Sequence, residues 1–131
     1  MDPGHTRAFD IGPLPEDSHA RLIHLSNVFG RVLFDTARDP AMDQARSLPE
    51  SMRPEAEKLI NDVLYAVVQV LDGVTKPIAN DRLKVEIVLS ARLRDKATGE
   101  VSDVVELGPN GEGLTMGFAG WVQGDFGALS P

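Results

Sequence analysis

The first pattern of apolar residues along the chain predicts an amphipathic helix over residues 16–38. Its apolar positions recur three and four residues apart, at Leu22, Leu25, Phe29 and Val32. Glu16 and Asp17 would lie in the first turn, where the helix dipole favours carboxylates. Pro40 is expected to end the helix, because proline disfavours the helical conformation in the residue before it, and a loop of roughly ten residues would follow.

A second helix is predicted for residues 51–72, with Ser51 as its cap and Gly73 just past its end. Apolar residues extend nearly all the way round it, and between Val63 and Leu71 the only strongly polar residue is Gln69. A helix of this kind is buried on more than one side. It therefore either packs between the first helix and a sheet or contributes to a subunit interface.

After this helix the spacing of the apolar residues changes from three or four positions to every second position. Over residues 82–94 every second residue is apolar, and every intervening one except Val88 is polar, as in a strand with one buried face. Residues 95–100 have the composition of a hairpin turn, and 101–107 would be the returning strand. After a second turn at 109–113, Leu114, Met116 and Phe118 alternate as a third strand, which Gly117 weakens.

These elements predict an α+β fold in which two helices pack on one face of a three-stranded antiparallel meander, in the order α-α-β-β-β. We expect a single domain over residues 1–131, with the second helix at its centre. Residues 1–15, which contain three prolines, would form an irregular arm. The sheet would occupy residues 82–123, and residues 124–131 would be a tail.

The composition narrows the classes of function. The 131 residues include no cysteine, which excludes disulfides, thiol nucleophiles, zinc–thiolate sites and iron–sulfur clusters. No apolar run approaches the roughly 18 residues that a membrane helix needs, and the N-terminus does not resemble a secretory signal, so we expect a cytoplasmic protein. Twenty acids against 13 bases give a net charge of −7, which disfavours nucleic-acid binding.

Familiar cofactor-binding motifs are not found. Half of the 12 glycines fall within residues 111–127, but their spacing is not that of a dinucleotide-binding or phosphate-binding loop. The histidines His5, His19 and His24 form no metal-binding motif. We therefore assign no cofactor, no metal and no catalytic residue.

Three aspartates spaced four residues apart raise a cation site as a hypothesis: Asp35, Asp39 and Asp43. On a continuous helix their carboxylates would align. The expected break at Pro40 would separate them, and Arg38 and Arg46 offset their charge. Cation binding is therefore disfavoured.

Two groups of side chains are candidates for contact with a partner. The polar face of the long predicted strand carries a basic stripe formed by Arg82, Lys84, Arg92 and Arg94. Near the C-terminus, Trp121 and Phe126 bracket a short segment that contains Asp125. The stripe either contacts a phosphate backbone or an acidic partner, or protects a solvated sheet face. Trp121 and Phe126 either form a binding rim with Asp125, as aromatic residues do at interface hot spots, or close the open end of the core.

The leading functional hypothesis is a non-enzymatic cytoplasmic interaction protein that binds a protein partner or forms a homodimer. One version is an acidic inhibitor or immunity-type protein, whose charge would speed association with a basic target. The alternative is a small enzyme or ligand-binding domain with a pocket between the sheet and the Trp121–Phe126 segment, its ligand unknown. A third hypothesis is a structural subunit of a larger assembly.

Overall fold

A computed structural model of the protein describes residues 9–74, 76–107 and 114–129. Its first helix is continuous through three segments, namely α1 (Ser18–Leu33), a π-helical segment (Phe34–Arg38) and α2 (Asp39–Ala45). Asp17 caps α1, since its carboxylate accepts a hydrogen bond from the backbone N–H of Ala20 at 2.9 Å. Residues 9–15 are irregular, as predicted for this part of the arm.

The predicted end of the first helix at Pro40 is wrong, and the π-helical segment explains why. The backbone N–H of Asp39 donates to the carbonyl of Phe34, five residues earlier, which shifts the hydrogen-bond register by one residue. Pro40 then stands in the first turn of α2, where a residue without an N–H is tolerated. The helix therefore reaches Ala45, and the loop after it is short.

The second predicted helix is present as α3 (Arg53–Leu71), preceded by a 3₁₀ turn at Glu50–Met52. It is not central. Among its residues only Val68 is fully buried, and several of its apolar side chains face solvent. Within one chain, α3 thus packs through one side only.

The sheet has two antiparallel strands in the described residues, β1 (Ser90–Arg94) and β2 (Val101–Glu106), so the predicted three-stranded meander is wrong. Their connecting turn falls where it was predicted, with Gly99 in the left-handed region at φ +75°. The rest of the first predicted strand does not join the sheet. Residues 82–85 instead fold back on residues 78–80, and the Val85 N–H donates to the Ile78 carbonyl at 2.7 Å.

The third predicted strand is a helix, α4 (Leu114–Val122). Leu114, Phe118 and Trp121 are its buried residues, and their spacing of four and three is helical. Asp72, at the end of α3, caps this helix, because its carboxylate accepts hydrogen bonds from the Thr115 hydroxyl and, at 2.6 Å, from the Thr115 backbone N–H. The predicted turn at 109–113 lies outside the described residues. The order becomes α-α-β-β-α when α1 and α2 count as one helix.

The core is centred on Trp121, which lies where α4 packs against α1. Its indole rests on Gly30 so closely that a Cβ at that position would lie 2.3 Å from Cε2 of Trp121. The indole Nε1 donates to Oδ1 of Asn27 at 2.8 Å. Four further aromatic rings surround it, those of Phe29, Phe34, Phe118 and Phe126.

Replacing Gly30 with alanine should destabilise the protein, although alanine favours a helix by up to about 1 kcal/mol. The added methyl group would overlap the indole of Trp121, and overpacking of this kind costs about 1–3 kcal/mol. Urea unfolding measures the effect. Gly120→Ala in α4 is the matched control, because its nearest neighbour would be 3.5 Å away, and its stability should be unchanged or raised. Equal midpoints for Gly30→Ala and the unsubstituted protein would contradict this packing.

The turn between β1 and β2 should weaken in acid. Backbone N–H groups of Thr98 and Ala97 donate to Asp95 and lower the pKa of its carboxyl below the ordinary 3.8. Because the folded pKa is the lower one, the stabilisation is complete above the unfolded pKa and is lost as pH falls through the folded pKa. In an NMR titration the Thr98 and Ala97 amide shifts should follow Asp95 with a midpoint below 3.8, whereas a higher midpoint would contradict these bonds.

Candidate interaction surface

The basic residues of the predicted strand are exposed, but they do not lie along one regular strand. Arg92 and Arg94 project from the outer face of β1, whereas Arg82 and Lys84 belong to the segment that folds back on residues 78–80. Lys84 Nζ lies 3.8 Å from a carboxylate oxygen of Glu86, and Arg94 donates to the carbonyl of Gly99 in its own hairpin turn. The stripe is therefore interrupted, and two of its members have local partners.

The C-terminal aromatic residues lie in the core. Trp121 and Phe126 are 1% and 6% exposed, and their rings stack with centroids 6.5 Å apart. Asp125 is exposed, and its carboxylate accepts a hydrogen bond from the Gly127 N–H at 3.0 Å. Only Asp125 of the predicted rim thus faces solvent. The burial supports the interpretation in which the two aromatic residues close the core.

The three aspartates considered for a cation do follow one continuous helix, but each is paired with an arginine. The pairs are Arg31 with Asp35 at 3.3 Å, Arg38 with Asp39 at 3.8 Å, and Arg46 with Asp43 at 2.5 Å. In the described ranges, no three histidine or acidic side chains are grouped so that they could hold a metal ion. These acids therefore serve as ion-pair partners along the helix surface.

Two buried ionisable side chains, His24 and Asp72, are used to hold segments of the chain together. Nε2 of His24 lies 2.7 Å from the carbonyl oxygen of Ile11, which ties the N-terminal arm to α1. Asp72 joins the end of α3 to the start of α4 through Thr115. Neither has a second ionisable side chain as its hydrogen-bond partner in the described structure, so they do not form an acid–base pair.

A row of exposed apolar side chains follows the solvent-facing side of α3. Leu59, Val63, Val67 and Val70 are 63%, 53%, 45% and 43% exposed. Their spacing of three and four residues places them on one side of the helix. Val68, on the other side, is 0% exposed. The helix α3 therefore has two apolar sides, one packed in the core and one largely exposed.

Two grooves extend this row across the surface. Beside α2, a groove of about 310 Å³ is lined by Ala37 and Ala41 together with Leu59 and Val63. At the other end of α3, Val70 lines a second groove, of about 350 Å³, with Ile78, Val85 and Ile87. We call the whole surface the apolar band; its residues are Ala37, Ala41, Leu59, Val63, Val67, Val70, Ile78, Val85 and Ile87. Three charged residues, Lys76, Lys84 and Glu86, also line the second groove and give the band a charged margin at that end.

Sequence reasoning did not select the apolar band as a site, although a signal was present. Because residues from Val63 to Leu71 are almost all apolar, a subunit interface on α3 was one of two hypotheses. The sequence did not indicate which side of α3 would be exposed. Val85 and Ile87 were expected to face the core, because their alternation matches a half-buried strand. In the structure the sheet begins only at Ser90, and both side chains face solvent.

No helix in the described ranges is both long enough and apolar enough to cross a membrane. Comparison of the chain with protein-family models, with curated proteins and with solved structures finds no match.

Proposed function

We propose that this chain is a non-enzymatic protein-interaction module that binds through the apolar band. The observation that carries the proposal is the exposure of four large aliphatic side chains in a row on α3, each between 43% and 63%. Soluble proteins seldom leave a continuous apolar surface open to water, and such patches mark interaction sites. The charged margin of the band also corresponds to the polar rim that surrounds the apolar core of an interface.

The size of the hydrophobic contribution shows that binding needs more than α3. Complete burial of an exposed valine or leucine contributes about 1.5–3 kcal/mol, and these four residues are already about half covered, so burying them adds on the order of 4 kcal/mol. Association itself costs an estimated 4–15 kcal/mol. The free energy gained by burying the row on α3 thus at best equals the lower end of this cost. A stable complex therefore also requires the grooves at both ends of the band and contacts at its margin.

The alternative of an enzyme or ligand-binding domain has less support. It required a pocket between the sheet and an accessible Trp121–Phe126 segment, and both aromatic side chains are enclosed in the core. Neither of them lines the grooves described above. The buried His24 and Asp72, which could have suggested proton transfer, each bond to a backbone segment that they hold in place.

The inhibitor or immunity-type version of the function rests on the charge of the chain. A net charge of −7 would speed association with a basic target, chiefly through the rate of encounter. The charged residues that line the second groove of the apolar band are two lysines and one acid, so the band adds no support to this version. We propose that the interaction takes place in the cytoplasm, on the basis of the sequence alone.

A photo-crosslinking amino acid at Val67 should capture a protein partner in the cells from which the chain comes, because this side chain lies in the middle of the band. The same substitution at Ile23 is the matched control. Ile23 is a β-branched residue on α1, outside the band, and is 43% exposed against 45% for Val67. Denaturing gels and mass spectrometry would identify the products.

Products specific to Val67, including one that contains a second copy of the chain, would support binding through the band. If Val67 yields nothing beyond what Ile23 yields, the band is not a binding surface and the proposed function is wrong.

A further inference from the structure

We infer that the apolar band is covered by a second copy of this chain, with the two α3 helices antiparallel about a two-fold axis beside Val63. The inference rests on the proposed function, because it names the partner of the same surface. Three features of α3 support it: the symmetry of its exposed apolar positions, the distribution of its charges and the area of the band.

The apolar positions along α3 and its two flanks are symmetrical about Val63. From the centre outwards the matching positions are Leu59 with Val67, Ala56 with Val70, and Met52 with Val74. All of these side chains except the half-buried Ala56 are exposed. In a two-fold interface, residue i of one copy contacts residue j of the other, and j contacts i. Antiparallel pairing about Val63 therefore brings each apolar position opposite another apolar position along the whole helix.

The same spacing suits close packing between two helices. Steps of three and four residues, from Ala56 through Leu59, Val63 and Val67 to Val70, form the seam along which side chains of one helix enter the gaps of another. The small side chain of Ala56 ends this seam opposite Val70 of the second helix and leaves room for it.

The charges of α3 favour the antiparallel direction. Its charged residues lie in the first half of the helix, at Arg53, Glu55, Glu57, Lys58 and Asp62, and the half after Val63 has none. Antiparallel pairing lays the charged half of one copy beside the uncharged half of the other, which keeps Glu55 and Glu57 of one copy apart from those of the other. Asp62, the acid nearest the axis, is paired with Lys58 at 2.6 Å. A parallel pair would also bring Glu55 beside its own copy.

The area of the band is close to what a stable dimer uses. The exposed parts of its side chains, with those of Met52 and Val74, offer on the order of 600 Å² of apolar surface, against about 800 Å² that each partner buries in a standard interface. The charged margin would supply the remainder. A basic target would instead require a mainly acidic contact, whereas the charged residues that line the second groove are two lysines and one acid, Glu86.

Cysteine crosslinking tests the arrangement directly, because the natural chain has no cysteine and each introduced thiol is unique. Under mild oxidation, Val63→Cys should form a disulfide between two copies, since the axis brings these positions together. Leu59→Cys and Val67→Cys should crosslink mainly with each other when mixed and only weakly alone. Ile23→Cys, on α1 and outside the band, is the control and should stay reduced. A parallel pair would instead crosslink Leu59→Cys and Val67→Cys each with itself.

Sedimentation equilibrium supplies the second measurement. The natural chain at tens of micromolar should have twice the mass of the 14.2 kDa protomer. Val63→Asp sets two like charges beside the axis and should raise the Kd of the dimer about a hundredfold or more. Ile23→Asp is the matched control and should leave the Kd unchanged, and circular dichroism verifies that both variants fold.

The outcomes separate this inference from the proposed function. A dimer that is lost in Val63→Asp and trapped by Val63→Cys supports both. A monomer that captures a different protein at Val67 in cells overturns the second copy as the partner and leaves the proposed function standing. A monomer without capture at Val67 overturns both. A dimer that Val63→Asp leaves intact, with no Val63→Cys disulfide, overturns this interface.

Discussion

The arrangement of the helices depends on the contact between Trp121 and Gly30. Because Gly30 has no Cβ, the indole can lie directly on α1, and its hydrogen bond to Asn27 sets the orientation of the ring. α4 is thereby held between α1 and α3, where Phe118 packs beside Tyr65. The inner side of α3 is occupied, and nothing in the described chain covers the opposite side. The exposure of the apolar band is therefore a consequence of how the core is packed.

Much of the secondary structure could be predicted from the sequence, and the errors have physical causes. Helical spacing located α1 and α3, and turn composition located the hairpin. Leu114, Met116 and Phe118 satisfy the period of a strand, but Leu114, Phe118 and Trp121 equally satisfy that of a helix. The helix is favoured because the carboxylate of Asp72 caps the start of α4 at Thr115. The two residues are 43 positions apart in the sequence, so the local pattern gives no sign of this hydrogen bond. The sequence pattern likewise did not predict the π-helical segment that allows the first helix to continue past Pro40.

The candidate site was harder to predict than the fold, because exposure is decided by packing rather than by residue type. Trp121 and Phe126 had two interpretations from sequence, and the gap left by Gly30 favours the interior one. For α3 the sequence did indicate an interface, because its apolar surface is wider than a single packing contact would bury. Which side would remain free depended on where α4 packs, and α4 was expected to be a strand. The wrong prediction for α4 thus prevented a prediction of which side of α3 is exposed.

The charge of the chain and its apolar band have complementary effects on association. A net charge of −7 makes most approaches between two copies unfavourable, since acids are spread over the surface. The second half of α3 has no charged side chain, so like-charge repulsion is weakest there and the gain from apolar burial is largest. Repulsion elsewhere therefore acts against non-specific aggregation of the exposed band. The same balance explains why an acidic protein can keep an open apolar helix face.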